Sequence, residues 1–309
     1  MYSNFRLQYI FEELFKTYEN ENILIISNSL HFDQLRLFKE KIYIKSDYKD
    51  VINRAIEIGF KTKISKSLKF KYVIISQSKS KKENFYNIFQ SYNFLTFNGK
   101  IIIEGHNKSG IRYTLKHLKE QNLDLRIISK NHGKIIFFNN IDLSEEILHS
   151  WKKNNLPIKV EKDYLTLPGV FSEKGIDKAS EFLASSFNKN LKGRIADIGS
   201  GWGYLSAEAL KKSKKINKIY LYEINRKSLK ISKKNIKDDR AIFKWVDIFK
   251  DKKILFNFDC IICNPPFHKE LKVDFDLGKR FIIRSSEMLK KNGSLFIVAN
   301  INMPYEKTL

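Results

Sequence analysis

Along the second half of the chain, short apolar runs alternate with stretches in which apolar residues recur every three or four positions. The runs fall at 194–198, 219–222, 241–246, 258–263 and 295–299, and the helical stretches at 204–212, 228–236 and 276–290. Short buried strands separated by helices predict βαβ units, and so a parallel sheet with helices on both faces. The first half keeps the same rhythm, with runs at 23–26, 72–75 and 100–103 and a helix over 111–119. Two further runs, 125–129 and 134–138, flank Asn131-His132-Gly133, which predicts a hairpin.

The halves can be laid over one another. Phe70-Lys71-Tyr72-Val73-Ile74-Ile75-Ser76 matches Phe258-Asp259-Cys260-Ile261-Ile262-Cys263-Asn264, and the run through Gly99 to Ile103 matches that through Gly293 to Ile297. Such self-similarity predicts an internal duplication, with α/β domains at 1–155 and 156–309. Between them, Trp151-Lys152-Lys153-Asn154-Asn155-Leu156-Pro157 reads as a helix end followed by a breaker. The copies differ at the C-terminal strand ends, where parallel sheets bind ligands. Where the second half has Gly199-Ser200-Gly201-Trp202-Gly203 and Asn264-Pro265-Pro266, the first has Ser27-Asn28-Ser29 and Ser76-Gln77-Ser78. The first domain is therefore expected to be a degenerate copy that docks substrate and supports the second. The second has no counterpart of the hairpin at 125–138, so it is expected to lack its last two strands, as a C-terminally truncated fragment would.

Composition narrows the class. A chain that is 42% hydrophobic and 13% aromatic can bury a core. None of its apolar runs approaches the ~18–20 residues of a membrane helix, and its N-terminus has no apolar signal region, so a cytoplasmic location without a membrane partner is expected. The formal charge of +23 favours a nucleic-acid partner. Only ten of the 57 basic residues are Arg, in a chain rich in Lys, Asn, Ile and Phe, so part of that excess is the coding bias of an A+T-rich genome. Cys260 and Cys263 are spaced as half a metal or redox site, yet both lie in one apolar strand. Residues i and i+3 of a strand face opposite ways, which makes the two thiols apolar fillers and leaves no metal site expected.

The chemistry gathers in the second half. Asp197-Ile198-Gly199-Ser200-Gly201-Trp202-Gly203 follows a strand and opens a helix, where glycines admit a ligand to the backbone and the helix start offers unpaired N–H groups. The third Gly comes one residue earlier than in a dinucleotide fingerprint, which suits a cofactor without a pyrophosphate. Glu223, ending the next strand, is placed to accept from both ribose hydroxyls; an exposed Glu is the alternative. Asp247, ending the third strand, fits an adenine amino group and a helix N-cap equally well. Asn264-Pro265-Pro266-Phe267 leaves the fourth strand and is the most specific feature. The prolines stiffen the exit, the Asn264 amide oxygen and the Pro265 carbonyl can accept from an exocyclic amine, and Phe267 offers a stacking face. Together these predict S-adenosylmethionine-dependent methylation of an exocyclic amino group, driven by positioning and electrostatics.

These motifs, with Leu167-Pro168-Gly169-Val170-Phe171-Ser172 and Gly175-Ile176-Asp177, resemble the RsmC-type ribosomal RNA guanine-N2 methyltransferases over the whole chain. The resemblance implies two tandem Rossmann-like class I methyltransferase domains, the first without catalytic motifs. It implies that Gly199, Gly201 and Gly203, with Asp197, hold the methionine part of S-adenosylmethionine. Glu223 would hold its ribose and Asp247 its adenine, while Asn264, Pro265, Pro266 and Phe267 receive the guanine amine. Phe171 and Asp177 would belong to a loop lining the site, and His268 follows the motif. The partner implied is 16S ribosomal RNA of the small ribosomal subunit, met by a monomer. The rival readings are guanine-N2 methylation of 23S ribosomal RNA, glutamine-N5 methylation of a release factor, adenine-N6 methylation of DNA and a non-catalytic RNA-binding factor.

Overall fold

The structure, a computed structural model, describes residues 4–15, 21–29, 31–140, 143–188, 191–252, 254–266, 268–269, 272–273, 275–300, 305 and 308. The chain forms two compact units, Met1–Leu156 and Pro157–Leu309.

In the first unit the elements are α1 (Phe5–Phe15), β1 (Ile23–Ile26), β2 (Ile42–Lys45), α2 (Lys49–Ile58), β3 (Phe70–Ser76), α3 (Lys81–Tyr92), β4 (Leu95–His106), α4 (Ile111–Glu120), β5 (Arg126–Lys130), β6 (Gly133–Asn139) and α5 (Glu145–Lys153). They build a six-stranded sheet in the order β2-β1-β3-β4-β6-β5. The first four strands are parallel, and β6 and β5 close the sheet as an antiparallel hairpin. Alternate residues feed two separate cores: Ile23, Ile25, Tyr72 and Ile74 on one face, Leu24, Ile26, Val73 and Ile75 on the other. That is why these strands read as unbroken apolar runs and not as alternating ones. The hairpin turns through Asn131 (φ 45) and His132 (φ 54), both left-handed. Gly133 does not supply the turn; a Cβ on it would lie 2.3 Å from the Gly105 carbonyl oxygen of the neighbouring strand, so close backbone packing demands glycine.

The second unit comprises β7 (Ile158–Lys159), β8 (Leu165–Thr166), α6 (Lys178–Ser185), β9 (Gly193–Ile198), α7 (Tyr204–Lys212), β10 (Ile216–Glu223), α8 (Arg226–Asn235), β11 (Ala241–Trp245), β12 (Phe258–Cys263), β13 (His268–Lys269), β14 (Lys272–Val273), α9 (Phe275–Met288) and β15 (Leu289–Ile297). Its main sheet is parallel throughout, in the order β11-β10-β9-β12-β15. Among the described residues it ends at β15, where the first unit continues through β6 and β5. The last strand begins at Leu289, earlier than its apolar run at 295–299 suggests, and α9 stops at Met288. A register break lets Leu289 pair with Phe258 before the regular pairing of Ser294 with Cys260. Cys260 packs into one core of this sheet and Cys263 into the other, so the thiols point to opposite faces.

The duplication is visible in the registers. Tyr72 pairs with Lys100 beyond a break at Phe70, as Cys260 pairs with Ser294 beyond a break at Phe258. Ile23 pairs with both Tyr72 and Ile42, as Ile195 pairs with both Cys260 and Ile219. Counting along the strands sets Ile25 against Asp197, Ser27 against Gly199, Ser46 against Glu223 and Ser76 against Asn264. The first turn even keeps its backbone bond: Ser27 N donates to Lys45 O at 3.1 Å, as Gly199 N donates to Tyr222 O at 2.9 Å.

Candidate active site

Three strand ends define the site. Ile198 of β9 pairs with Cys263 of β12, so the Gly-rich turn and Asn264 leave neighbouring strands side by side at the C-terminal edge. Tyr222 of β10 pairs with Ile198 on the other flank, which brings Glu223 beside the same turn. Its Oε2 accepts from Gly201 N at 2.6 Å and its Oε1 from Asn225 N at 2.7 Å. A carboxylate has about four acceptor positions, so lone pairs remain for hydroxyl donors. Burial raises the Glu223 pKa above the usual carboxylate value against these backbone bonds.

Asp197 sits at 0% exposure one residue inside the end of β9. Ser206 Oγ of α7 donates to its Oδ2 at 2.6 Å, and its Oδ1 has no partner. Burial pushes its pKa up to about 7, and the neighbouring Glu223 carboxylate adds to the shift. An unpartnered buried carboxylate oxygen calls for a donor, and a cationic one would serve best. Gly199 (φ 74), Gly201 (φ 54) and Gly203 (φ 91) are all left-handed. A Cβ on Gly201 would meet nothing within 4 Å, which leaves open space in front of the turn. A Cβ on Gly203 would lie 3.0 Å from Ile236 Cδ1 and from Ser232 Cβ, so this glycine serves packing of α7 against α8. The orphaned acceptor and the open glycine together fit a cofactor that carries positive charge and approaches the backbone.

Of the two jobs weighed for Asp247, the helix cap is not found: among the described residues the next helix is α9, and the Asp247 Oδ1 accepts from Phe249 N at 2.9 Å within a local turn. It is buried at the same edge, two residues past Trp245, the β11 partner of Glu223.

Asn264 carries the most directional contacts. Its Nδ2 donates to Asp177 Oδ2 at 3.0 Å and to Ser180 Oγ at 2.8 Å. Asp177 is the N-cap of α6, accepting from Ser180 N at 2.8 Å through the same oxygen. Pro265 is buried and Pro266 exposed; Phe267 lies outside the described residues. His268 opens the short antiparallel ribbon β13–β14 that follows.

The loop before α6 is pinned over the Gly-rich turn. Asn235 at the end of α8 donates through Nδ2 to Leu165 O at 2.9 Å and to Trp202 O at 2.8 Å, and its Oδ1 accepts from Leu165 N at 2.8 Å. Lys227 Nζ donates to Pro168 O at 2.7 Å. Within the loop, Gly169 N donates to Glu173 Oε2 at 2.6 Å and Ser172 Oγ to Gly175 O at 2.8 Å. Phe171 stands out from it at 62% exposure. The structure thus brings Asp197, the glycines, Glu223, Asp177 and Asn264 to one edge, while Phe171 turns its ring to solvent. Sequence reasoning missed Ser180, Lys227 and Asn235. Ser180 had a local signal, since it stands three residues after an Asp N-cap; the other two had none.

Comparison with known proteins sets this geometry in context. Residues 161–309 match the family described as methyltransferase small domain. A ribosomal RNA small subunit methyltransferase C from Buchnera aphidicola subsp. Schizaphis graminum is 35% identical over 237 residues, covering 74% of this chain and 67% of its own length. The protein of that name from Psychromonas ingrahamii is 28% identical over 94% of this chain and 87% of its own. Among solved structures, the T. thermophilus 16S rRNA N2 G1207 methyltransferase (RsmC), in complex with AdoMet and guanosine, aligns with 96% of this chain and 85% of its own at a TM-score of 0.77. At 17% identity that likeness speaks for the fold, two tandem α/β units included.

Proposed function

The chain belongs to the ribosomal RNA small subunit methyltransferase C family, and from that premise we propose that it methylates the exocyclic N2 amine of a guanine in 16S ribosomal RNA with S-adenosylmethionine as donor. The observation that carries this reading is the adjacency of two strand ends: the glycine turn after β9, with its orphaned carboxylate, beside Asn264 after β12.

The cofactor, when bound, supplies an electrophilic methyl group on a sulfonium centre. Asp197 Oδ1 and the backbone of Gly199, Gly201 and Gly203 hold its methionine end, Glu223 its ribose and Asp247 its adenine. Asn264 Oδ1 and the Pro265 carbonyl accept the two hydrogens of the guanine amine. Those bonds draw the nitrogen lone pair out of conjugation with the ring and aim it along the line of attack. Phe267 and Phe171 are assigned to the base, as stacking faces. The site works without a dedicated base: preorganised acceptors lower the barrier, and the extra proton of the methylated amine is released to water.

The first unit is assigned to RNA docking and to support of the second. Support for this comes from its registers, which keep the strands while Ile25, Ser27, Ser46 and Ser76 occupy the positions of Asp197, Gly199, Glu223 and Asn264. The net charge of +23 suits a polyanionic partner. Among the described residues no helix is long and apolar enough to cross a membrane. A cytoplasmic monomer acting on small ribosomal subunits completes the reading.

Purified protein should transfer a labelled methyl group to small subunits from a strain lacking this modification. Transfer to large subunits or to a release factor, with none to small subunits, would replace the substrate.

A further inference from the structure

Among the described residues, the Asn264 carboxamide is held by its nitrogen alone. Its two N–H groups go to Asp177 Oδ2 and Ser180 Oγ, and no described residue donates to its Oδ1. A carboxylate can only accept. If the amide turned over, its oxygen would face the Asp177 carboxylate, and an N–H···O bond would become a repulsion between two acceptors. Ser180 alone would tolerate either orientation, because a hydroxyl both donates and accepts. Asp177 therefore decides which end of the amide faces outward. It is itself fixed, because the oxygen that takes the Asn264 N–H also caps α6 by accepting from Ser180 N at 2.8 Å. Ser180 is buried at 8% exposure, so the device is anchored in the packed start of the helix. The contacts span 87 and 84 residues of sequence.

We infer that Asp177 and Ser180 are positioning residues for methyl transfer, acting through Asn264 and not by touching the base. The inference rests on the proposed function and adds to it what aims the acceptor. Two consequences follow from the chemistry. The amide oxygen is presented to the target amine before substrate arrives, so no reorganisation is needed at the moment of transfer. Bonding the amide N–H groups to a carboxylate also shifts electron density toward Oδ1. A stronger acceptor there favours the positive charge that builds on the amine nitrogen as it takes the methyl group. Both effects belong to the transition state, so they appear in kcat and not in cofactor affinity.

The test uses the full chain. In Asp177→Ser/Ser180→Ala, a serine at position 177 still caps α6 but is too short to reach Asn264, and the backbone N–H of position 180 remains for the cap. With small-subunit RNA as substrate, kcat is expected to fall roughly 10- to 100-fold, with KM for S-adenosylmethionine within about twofold. Asp177→Asn keeps a capping amide oxygen at the same place, and should recover most of the loss. A second readout is independent of turnover: the Asn264 side-chain NH₂ resonances, in protein labelled with ¹⁵N-asparagine, should exchange with water at least about tenfold faster in the double variant and in Ser180→Ala. A double variant of unchanged melting temperature with wild-type kcat and unchanged NH₂ exchange would overturn the inference. So would an intact kcat with a large rise in cofactor KM, which would make these residues part of the cofactor pocket. Should the wild-type protein transfer no methyl group, the proposed function fails, while the exchange measurement still decides whether Asp177 and Ser180 hold the amide.

Discussion

At the scale of single residues, the site is a set of carboxylates and amides whose free atoms matter more than their bonded ones. Asp197 is the clearest case. Held in the apolar interior, it keeps its proton up to about pH 7, whereas in the unfolded chain it would lose it near the ordinary carboxylate value of 3.8. The folded state therefore binds more protons between those two values, and stability falls as pH rises through them. The contribution is fully present below the unfolded value and lost as pH passes about 7. Glu223 is shifted in the same direction by burial and adds to the slope. Melting temperature in the absence of cofactor should accordingly decline from pH 5 to pH 7.5, and Asp197→Asn should flatten that decline. A variant with the wild-type slope would mean that Asp197 is ionised in the folded protein across that range.

At the scale of elements, two glycines of one turn do different work. Ala at Gly203 must adopt φ 91 and push against Ile236 and Ser232, so Gly203→Ala should cost roughly 2–3 kcal/mol in urea unfolding. Ala at Gly201 meets no neighbour within 4 Å at φ 54, so Gly201→Ala should cost only the left-handed backbone strain, about 1 kcal/mol, and act instead on S-adenosylmethionine binding. Equal stability losses, with binding untouched in both, would contradict this division. The strands themselves were legible because both faces are buried: an apolar run such as 258–263 has only one plausible use in an α/β chain, and its bounds agree with β12. β2 escaped notice because Ile42–Lys45 is four residues long and alternates buried with half-buried positions. The early start of β15 was hidden by the polar stretch around Asn292, which takes a left-handed φ of 64 beside the register break. Motif residues announced the site, since glycines and prolines carry backbone meaning in any context. The supports did not: Asn235 reaches Leu165 across 70 residues and Lys227 reaches Pro168 across 59, and no local pattern marks such partners.

At the scale of the whole molecule, the chain holds one fold twice and keeps chemistry in one copy. Ile25, Ser27, Ser46 and Ser76 stand in the first unit where the second has Asp197, Gly199, Glu223 and Asn264, while its strands pair in the same registers and its two cores remain filled. A sheet kept without those side chains is what the proposed docking role of the first unit requires, and the strong positive charge of the chain suits a polyanionic partner. The central claim is that this protein places a methyl group on guanine N2 in 16S ribosomal RNA. The most direct measurement is to digest 16S and 23S RNA from cells with the gene, without it, and with the gene carrying Asn264→Ala, and to map N2-methylguanosine in each by mass spectrometry. The account predicts a 16S guanine that is methylated only with the intact gene, and a 23S map that does not change. An unchanged 16S map on deletion, or a loss confined to 23S RNA, would contradict it.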